Sequence, residues 1–287
     1  MLKEFRVTAP AKINLGLKVL PVRQDGFHGI ESIFSTVSLC DELTIKTVSL
    51  KNTCSVQCDA MKLPENNTIC STYKAFKNIV NDDLPGVEVF IKKRIASGGG
   101  LGGGSSDAAS FLIALDRLCN ANLTDAQMKS VAGSVGSDVF FFLDCAQKDG
   151  AAIVTGRGEC VKSILKRKDL HFLLVFPGVH SSTKEAYSLV DEFYESGKNP
   201  EYPSLDKLEA IYNSPVENWS FVNTFTEVIS KKYPEIEQAI FYLKKNGALY
   251  TDMSGSGSTV FGVFSSESDV QKARNALSGS WNVCSCF

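Results

Sequence analysis

Gly98-Gly99-Gly100-Leu101-Gly102-Gly103-Gly104-Ser105-Ser106-Asp107-Ala108-Ala109 is the stretch on which the reading of this chain turns. Ahead of it, Val87, Val89 and Ile91 alternate with Glu88, Phe90 and Lys92, the period of a strand with two unlike faces. Behind it, Ala108, Phe111, Leu112, Leu115, Leu118 and Cys119 recur at helical spacing. Strand, glycine loop and helix therefore follow one another directly. The six glycines let the backbone reach φ > 0 and approach a ligand closely. The first turn of the helix adds unpaired N–H groups at the positive end of its dipole. Gly98, Gly99, Gly100, Leu101, Gly102, Gly103, Gly104, Ser105 and Ser106 are thus a candidate seat for the phosphates of a nucleotide. A flexible glycine-serine linker is the competing reading, and the position between two patterned elements speaks against it. A Walker loop requires Lys after its last glycine, where this chain has Ser105. No V-A-I-K, H-R-D or D-F-G sequence accompanies the loop, which argues against a protein-kinase fold. Alone, the loop says phosphate binding and no more.

The rest of the chain sets bounds. Its 287 residues suffice for one large domain or two ordinary ones. With 44% hydrophobic and 22% charged residues, the composition is that of a soluble globular protein. A formal charge of −2 gives no reason to expect a nucleic-acid surface. No apolar run is long enough to span a bilayer, and the first residues lack both a secretory apolar core and a basic transit region. A cytoplasmic location without membrane contact is the expectation. The nine cysteines are odd in number and loosely spaced, which argues against a disulfide framework. Neither Cys54 with Cys58 nor Cys284 with Cys286 has the partners that complete a zinc site, so no metal ligand is assigned.

Outside the loop, several positions carry chemistry. Ile13, Leu15, Leu17 and Val19 alternate with Asn14, Gly16 and Lys18, a strand that puts Lys12 and Asn14 on one face. Pattern alone leaves open whether that face meets water. Asp25-Gly26-Phe27-His28 reads as a turn carrying an aromatic ring and an imidazole, ahead of a strand from Ile30 to Val37. A second extended segment is expected from Leu43 to Thr47, and a helix from Thr68. Thr124-x-x-Gln127 is a capping-box pattern. In Gly136-Ser137-Asp138 a carboxylate directly precedes the apolar Val139 to Leu143, and spacing leaves helix cap and catalytic base equally open. Ser182-x-x-Glu185 opens a further helix, with Tyr187 near its start. Ser254-Gly255-Ser256-Gly257-Ser258 is a second glycine turn before a strand from Thr259 to Phe264. Strands and helices alternate through the second half, an α+β pattern.

Taken in order, Pro10-Ala11-Lys12-Ile13-Asn14-Leu15, the Gly98–Ser106 loop and Ser254-Gly255-Ser256-Gly257 resemble the GHMP kinase family. Asp25-Gly26-Phe27-His28 and Gly136-Ser137-Asp138-Val139 narrow the resemblance, which runs from Pro10 to Phe264. It implies an α+β, two-domain GHMP kinase fold: a ribosomal protein S5 domain 2-like N-terminal domain over 1–165 that binds ATP, and a ferredoxin-like C-terminal domain over 166–287. It implies phosphoryl transfer from ATP, with Mg²⁺, to the 2-hydroxyl of a cytidine-diphosphate-linked methylerythritol. Asp138 would then be the general base and substrate contact, with Lys12 its cationic partner. Asn14 and Thr183 would contact the substrate, while Phe27, His28 and Tyr187 would take the cytosine. The implied partner is a small molecule only, for a monomer or weak homodimer. This chain departs from the family pattern at Ala96-Ser97, where Pro is usual, at Phe27, where Tyr is usual, and at Thr224, where an acidic residue is common. A homoserine or mevalonate kinase is the alternative within the family. A catalytically silent nucleotide binder is the alternative outside it, against which the retention of Lys12 and Asp138 speaks.

Overall fold

Two long strands carry the architecture, β1 (Glu4–Val22) and β2 (His28–Val48). The structure is a computed structural model that describes residues 3–80, 83–145, 150–198 and 200–287. Every residue of β1 from Ala11 to Leu17 is buried, so its alternation separates two covered faces and not a dry face from a wet one. β2 was expected as two segments, 30–37 and 43–47. It is one strand, because the polar Asp41 that interrupts the apolar pattern is fully buried and bonded within the protein.

The chain forms two compact units, each assembled from separate stretches. The first contains 1–11, 39–96 and 102–148. Here β4 (Gly86–Lys92) pairs antiparallel with Glu42–Val48 of β2 and parallel with β3 (Cys54–Cys58). Val87, Val89 and Ile91 turn inward, as their alternation requires, onto Tyr73 and Phe76 of α1 (Thr68–Val80) and Phe111 and Leu115 of α2 (Gly103–Cys119). α3 (Asp125–Val135) begins at a complete capping box, Thr124 with Gln127. The apolar run after Gly136 is a short helix, α4 (Asp138–Asp144), packed on α2.

The second unit contains 12–38, 97–101 and 149–287. β5 (Ala151–Thr155) pairs with Ser32–Ser35 of β2 and, across the Gly156–Gly158 turn, with β6 (Cys160–Ile164). β6 escaped the sequence reading because Cys160-Val161-Lys162-Ser163-Ile164 buries none of its residues. A four-stranded antiparallel sheet follows in the order β10 (Asn282–Cys286), β7 (His171–Phe176), β9 (Val260–Phe264), β8 (Tyr250–Met253). Between β7 and β8 lie α5 (Thr183–Glu195), α6 (Leu208–Tyr212), α7 (Thr224–Lys232) and α8 (Pro234–Lys245), and α9 (Glu267–Leu277) precedes β10. Strand, helix, two strands, helix, strand in this spatial order is the expected ferredoxin-like plan. α5 forms as predicted, but Ser182 makes no side-chain cap, and the Glu185 carboxylate meets Lys232 and Tyr233 and not the helix start. No helix among the described residues is long and apolar enough to cross a membrane.

Candidate active site

Lys12 and Asn14 do not face water: they are 4% and 0% exposed. Lys12 Nζ donates to Asn14 Oδ1 at 2.7 Å and lies 4.6 Å from the centre of the Phe34 ring. Asn14 Nδ2 donates to Ser32 Oγ (3.2 Å), which donates to the Gly16 carbonyl (2.5 Å). The backbone N–H of Lys12 donates to the carbonyl of Leu101 in the glycine loop, 3.0 Å away. Ser254 Oγ stands 3.4 Å from Asn14 Oδ1 and donates to the Gly100 carbonyl at 2.9 Å. The second unit thus joins the Lys12 strand, the first glycine loop and the second glycine turn in one bonded cluster.

Glycine is required where the two turns meet. Gly100 has φ +77°, and a Cβ there would lie 1.9 Å from the Ser254 carbonyl oxygen. The second turn is held from behind by Asn223, 1% exposed, whose Nδ2 donates to the carbonyls of Met253 (2.7 Å) and Gly255 (2.9 Å). Its Oδ1 caps α7 by accepting from Phe225 N–H. Sequence reasoning missed Asn223 as a positioning group; an Asn before a helix start was the available signal. Burial pushes the neighbouring Asp252 carboxyl up to about 6, against the lowering effect of bonds from Thr226, Met253 N–H and Tyr250.

The aromatic turn is also in this unit. His28 Nδ1 is 2.8 Å from the Leu20 carbonyl, which only accepts, so Nδ1 carries the proton and Nε2 faces Asp191 at 3.4 Å. His28 stacks on Tyr187 with ring centres 4.9 Å apart, and Phe225 meets Tyr187 edge-on. Phe27 is half exposed, and Thr183 Oγ1 lies 3.1 Å from Ser256 Oγ of the second glycine turn.

Ser105, Ser106 and Asp138 belong to the first unit. Gly102, in the left-handed region at φ 70°, leads into α2 without a side-chain cap, leaving its first N–H groups for a ligand. Asp138 is the first residue of α4, a favourable end for a carboxylate. A Cβ on the adjacent Gly136 would lie 3.9 Å from Ser105 Oγ, so the Gly136–Asp138 turn runs beside the start of α2. Beneath it, Lys93 Nζ bridges Asp41 (2.6 Å) and Asp107 (2.7 Å). Asp41 Oδ1 accepts the backbone N–H groups of Arg94 (2.6 Å) and Ile95 (2.8 Å). Burial would pull the Lys93 ammonium down, yet the two carboxylates hold it above its ordinary range. Burial raises Asp107, and Lys93 offsets only part of that rise. Asp107 Oδ1 and Ser106 Oγ are buried with no hydrogen-bond partner among the described residues. Sequence reasoning gave this triad no role, since Lys93 lies 52 residues from Asp41 and 14 from Asp107.

Fold and motifs together define a class, the two-part α+β small-molecule kinases. The sequence pattern of the GHMP kinases N terminal domain matches residues 67–156, and that of GHMP kinases C terminal matches 207–283. A 4-diphosphocytidyl-2-C-methyl-D-erythritol kinase of Treponema pallidum (strain Nichols) is 36% identical over 291 residues, covering 99% of this chain and 98% of the relative. The protein of that name from Thermodesulfovibrio yellowstonii is 36% identical over 278 residues, covering 94% and 93%. A crystal structure of 4-(cytidine 5'-diphospho)-2C-methyl-D-erythritol kinase superposes with a TM-score of 0.77 at 28% identity, covering 98% of each chain. A homoserine kinase from Cytophaga hutchinsonii shares the fold at a TM-score of 0.69 and 17% identity, covering 98% of this chain and 93% of its own. The chain belongs to the GHMP kinases.

Proposed function

We propose that this chain transfers the γ-phosphoryl group of ATP to the 2-hydroxyl of 4-diphosphocytidyl-2-C-methyl-D-erythritol, a step of non-mevalonate isoprenoid biosynthesis. The near full-length relatives of that name support the substrate. The observation that carries the base-binding half is the stack of His28 on Tyr187 beside the exposed Phe27 ring, a surface a small hydroxy acid would not use. The Gly98–Ser106 stretch cradles the triphosphate, and Asp138 takes the proton of the acceptor hydroxyl. Lys12 supplies the positive charge that keeps a base ionised and steadies the substrate, with Asn14 fixing the lysine's position. Thr183 is a polar contact to the substrate, through its place beside the second glycine turn. Residues 1–165 and 166–287 are the two family domains, a division supported by matched regions on either side of it.

Mg²⁺ bound with the nucleotide would neutralise charge on its phosphates. Among the described residues no group of three His, Cys, Asp or Glu could hold a metal unaided. This chain's part is to seat those phosphates.

ADP release measured with the cytidylylated methylerythritol, mevalonate and homoserine tests the assignment. Turnover is expected with the first alone; turnover with either small acid instead would overturn it. Gly100→Ala is expected to lower ATP affinity about tenfold or more, since a left-handed residue gains about 1–3 kcal/mol of strain and its methyl would drive the two turns apart. Titration with ATP reads this directly, and unchanged affinity would remove the loop from the nucleotide site.

A further inference from the structure

The Gly156-Arg157-Gly158 turn has no part in the phosphoryl transfer described above, yet it is built against the aromatic turn. Ile30 N–H donates to the Gly156 carbonyl at 2.7 Å, which pins the β5–β6 turn beside the start of β2. Arg157 then lies over Phe27, its guanidinium carbon 3.6 Å from the ring centre, the van der Waals separation of a guanidinium stacked on a ring. The carboxylate nearest in sequence, Glu159, accepts the backbone N–H of Arg157 at 2.5 Å and so closes the turn. Among the described residues the guanidinium itself donates no hydrogen bond and joins no ion pair. By contrast Arg23, beside the same loop, is paired with Asp25 at 3.2 Å.

A guanidinium stacked by its face keeps its five N–H donors free in the plane at its edge. That edge matches two oxygens of a phosphate in a bidentate fork. The neighbouring carboxylates Asp25, Glu159 and Asp191 would repel a phosphate at this turn. Asp25 already has Arg23 and Glu159 is taken by a backbone N–H, so the Arg157 guanidinium is left as a cation for a ligand at this turn. We propose that Arg157, its face resting on Phe27, binds the diphosphate of the nucleotide-linked substrate through its guanidinium edge and so selects diphosphate-bearing molecules. This rests on the substrate class proposed above.

Binding of CDP, CMP and cytidine to the full-length wild type, Arg157→Met and Arg157→Lys tests it, with ATP as the control ligand. Arg157→Met is expected to weaken CDP about ten- to a hundredfold and cytidine less than about threefold, with Arg157→Lys between, because it keeps the charge and loses the fork. KM for the cytidylylated substrate should rise in parallel while KM for ATP holds. Equal weakening of cytidine and CDP would mean that Arg157 only covers Phe27, and would overturn the proposal. So would unchanged CDP binding. If the wild type bound ATP but neither CDP nor cytidine, the cytidine reading of the site would itself fail and take this proposal with it.

Discussion

Asp138→Asn is expected to lower turnover by about 10²–10⁴-fold while leaving ATP affinity within about twofold. An alcohol hydroxyl is a poor nucleophile until its proton has somewhere to go, and an amide of the same shape cannot take it. Asp138 begins α4, in a turn running beside the serines that open α2, so the substitution removes a base without removing a helix. Asn is a good residue at such a start, which keeps the change local. The diagnostic feature is the split: kcat and kcat/KM fall together, while a titration with ATP is nearly unmoved. Turnover within about threefold of the wild type would take Asp138 out of the mechanism and leave it a helix-start carboxylate.

How much of this was legible in the sequence depends on the range over which each signal acts. Val87, Val89 and Ile91, the Thr124–Gln127 cap and the glycine turns declare themselves within a few residues, and those elements stand where they were expected. Lys12 and Asn14 could be put on one strand face but not into the interior, because their cover comes from residues as distant as Ser254. β6 was invisible because an exposed strand shows no burial period. β2 was cut in two because Asp41 reads as polar; its partners Lys93, Arg94 and Ile95 lie more than fifty residues away. The Ser182–Glu185 pattern marked the start of α5, although Ser182 makes no side-chain cap and Glu185 meets the distant Lys232 and Tyr233. Residues missed at the candidate site are those whose work is to hold other residues: Asn223 behind the second turn and Lys93 under α2.

Lys93→Met should therefore be among the most damaging single changes outside the proposed chemistry, costing about 3–5 kcal/mol of unfolding free energy. The ammonium is 9% exposed, between carboxylates that are 0% and 4% exposed, so no water replaces it. Met keeps the volume of the stem and removes only the charge. Asp41 still accepts from Arg94 and Ile95, but Asp107 loses its partner on Oδ2 while Oδ1 already has none among the described residues. The cost falls mainly on Asp107, which predicts a partial rescue: Lys93→Met/Asp107→Asn should be more stable than Lys93→Met alone. The sign of the pH dependence follows from the same site. Asp107 is raised in the folded protein above its unfolded value, so the folded state holds the proton more tightly and stability is lost as pH rises through the folded value. Without Lys93 that rise grows, so the defect should be larger at pH 8 than at pH 5. Urea unfolding of both variants at the two pH values measures it. A defect below about 1 kcal/mol and independent of pH would be the signature of an exposed ion pair, and the triad would then not be what fixes the strand-to-helix passage around the glycine loop.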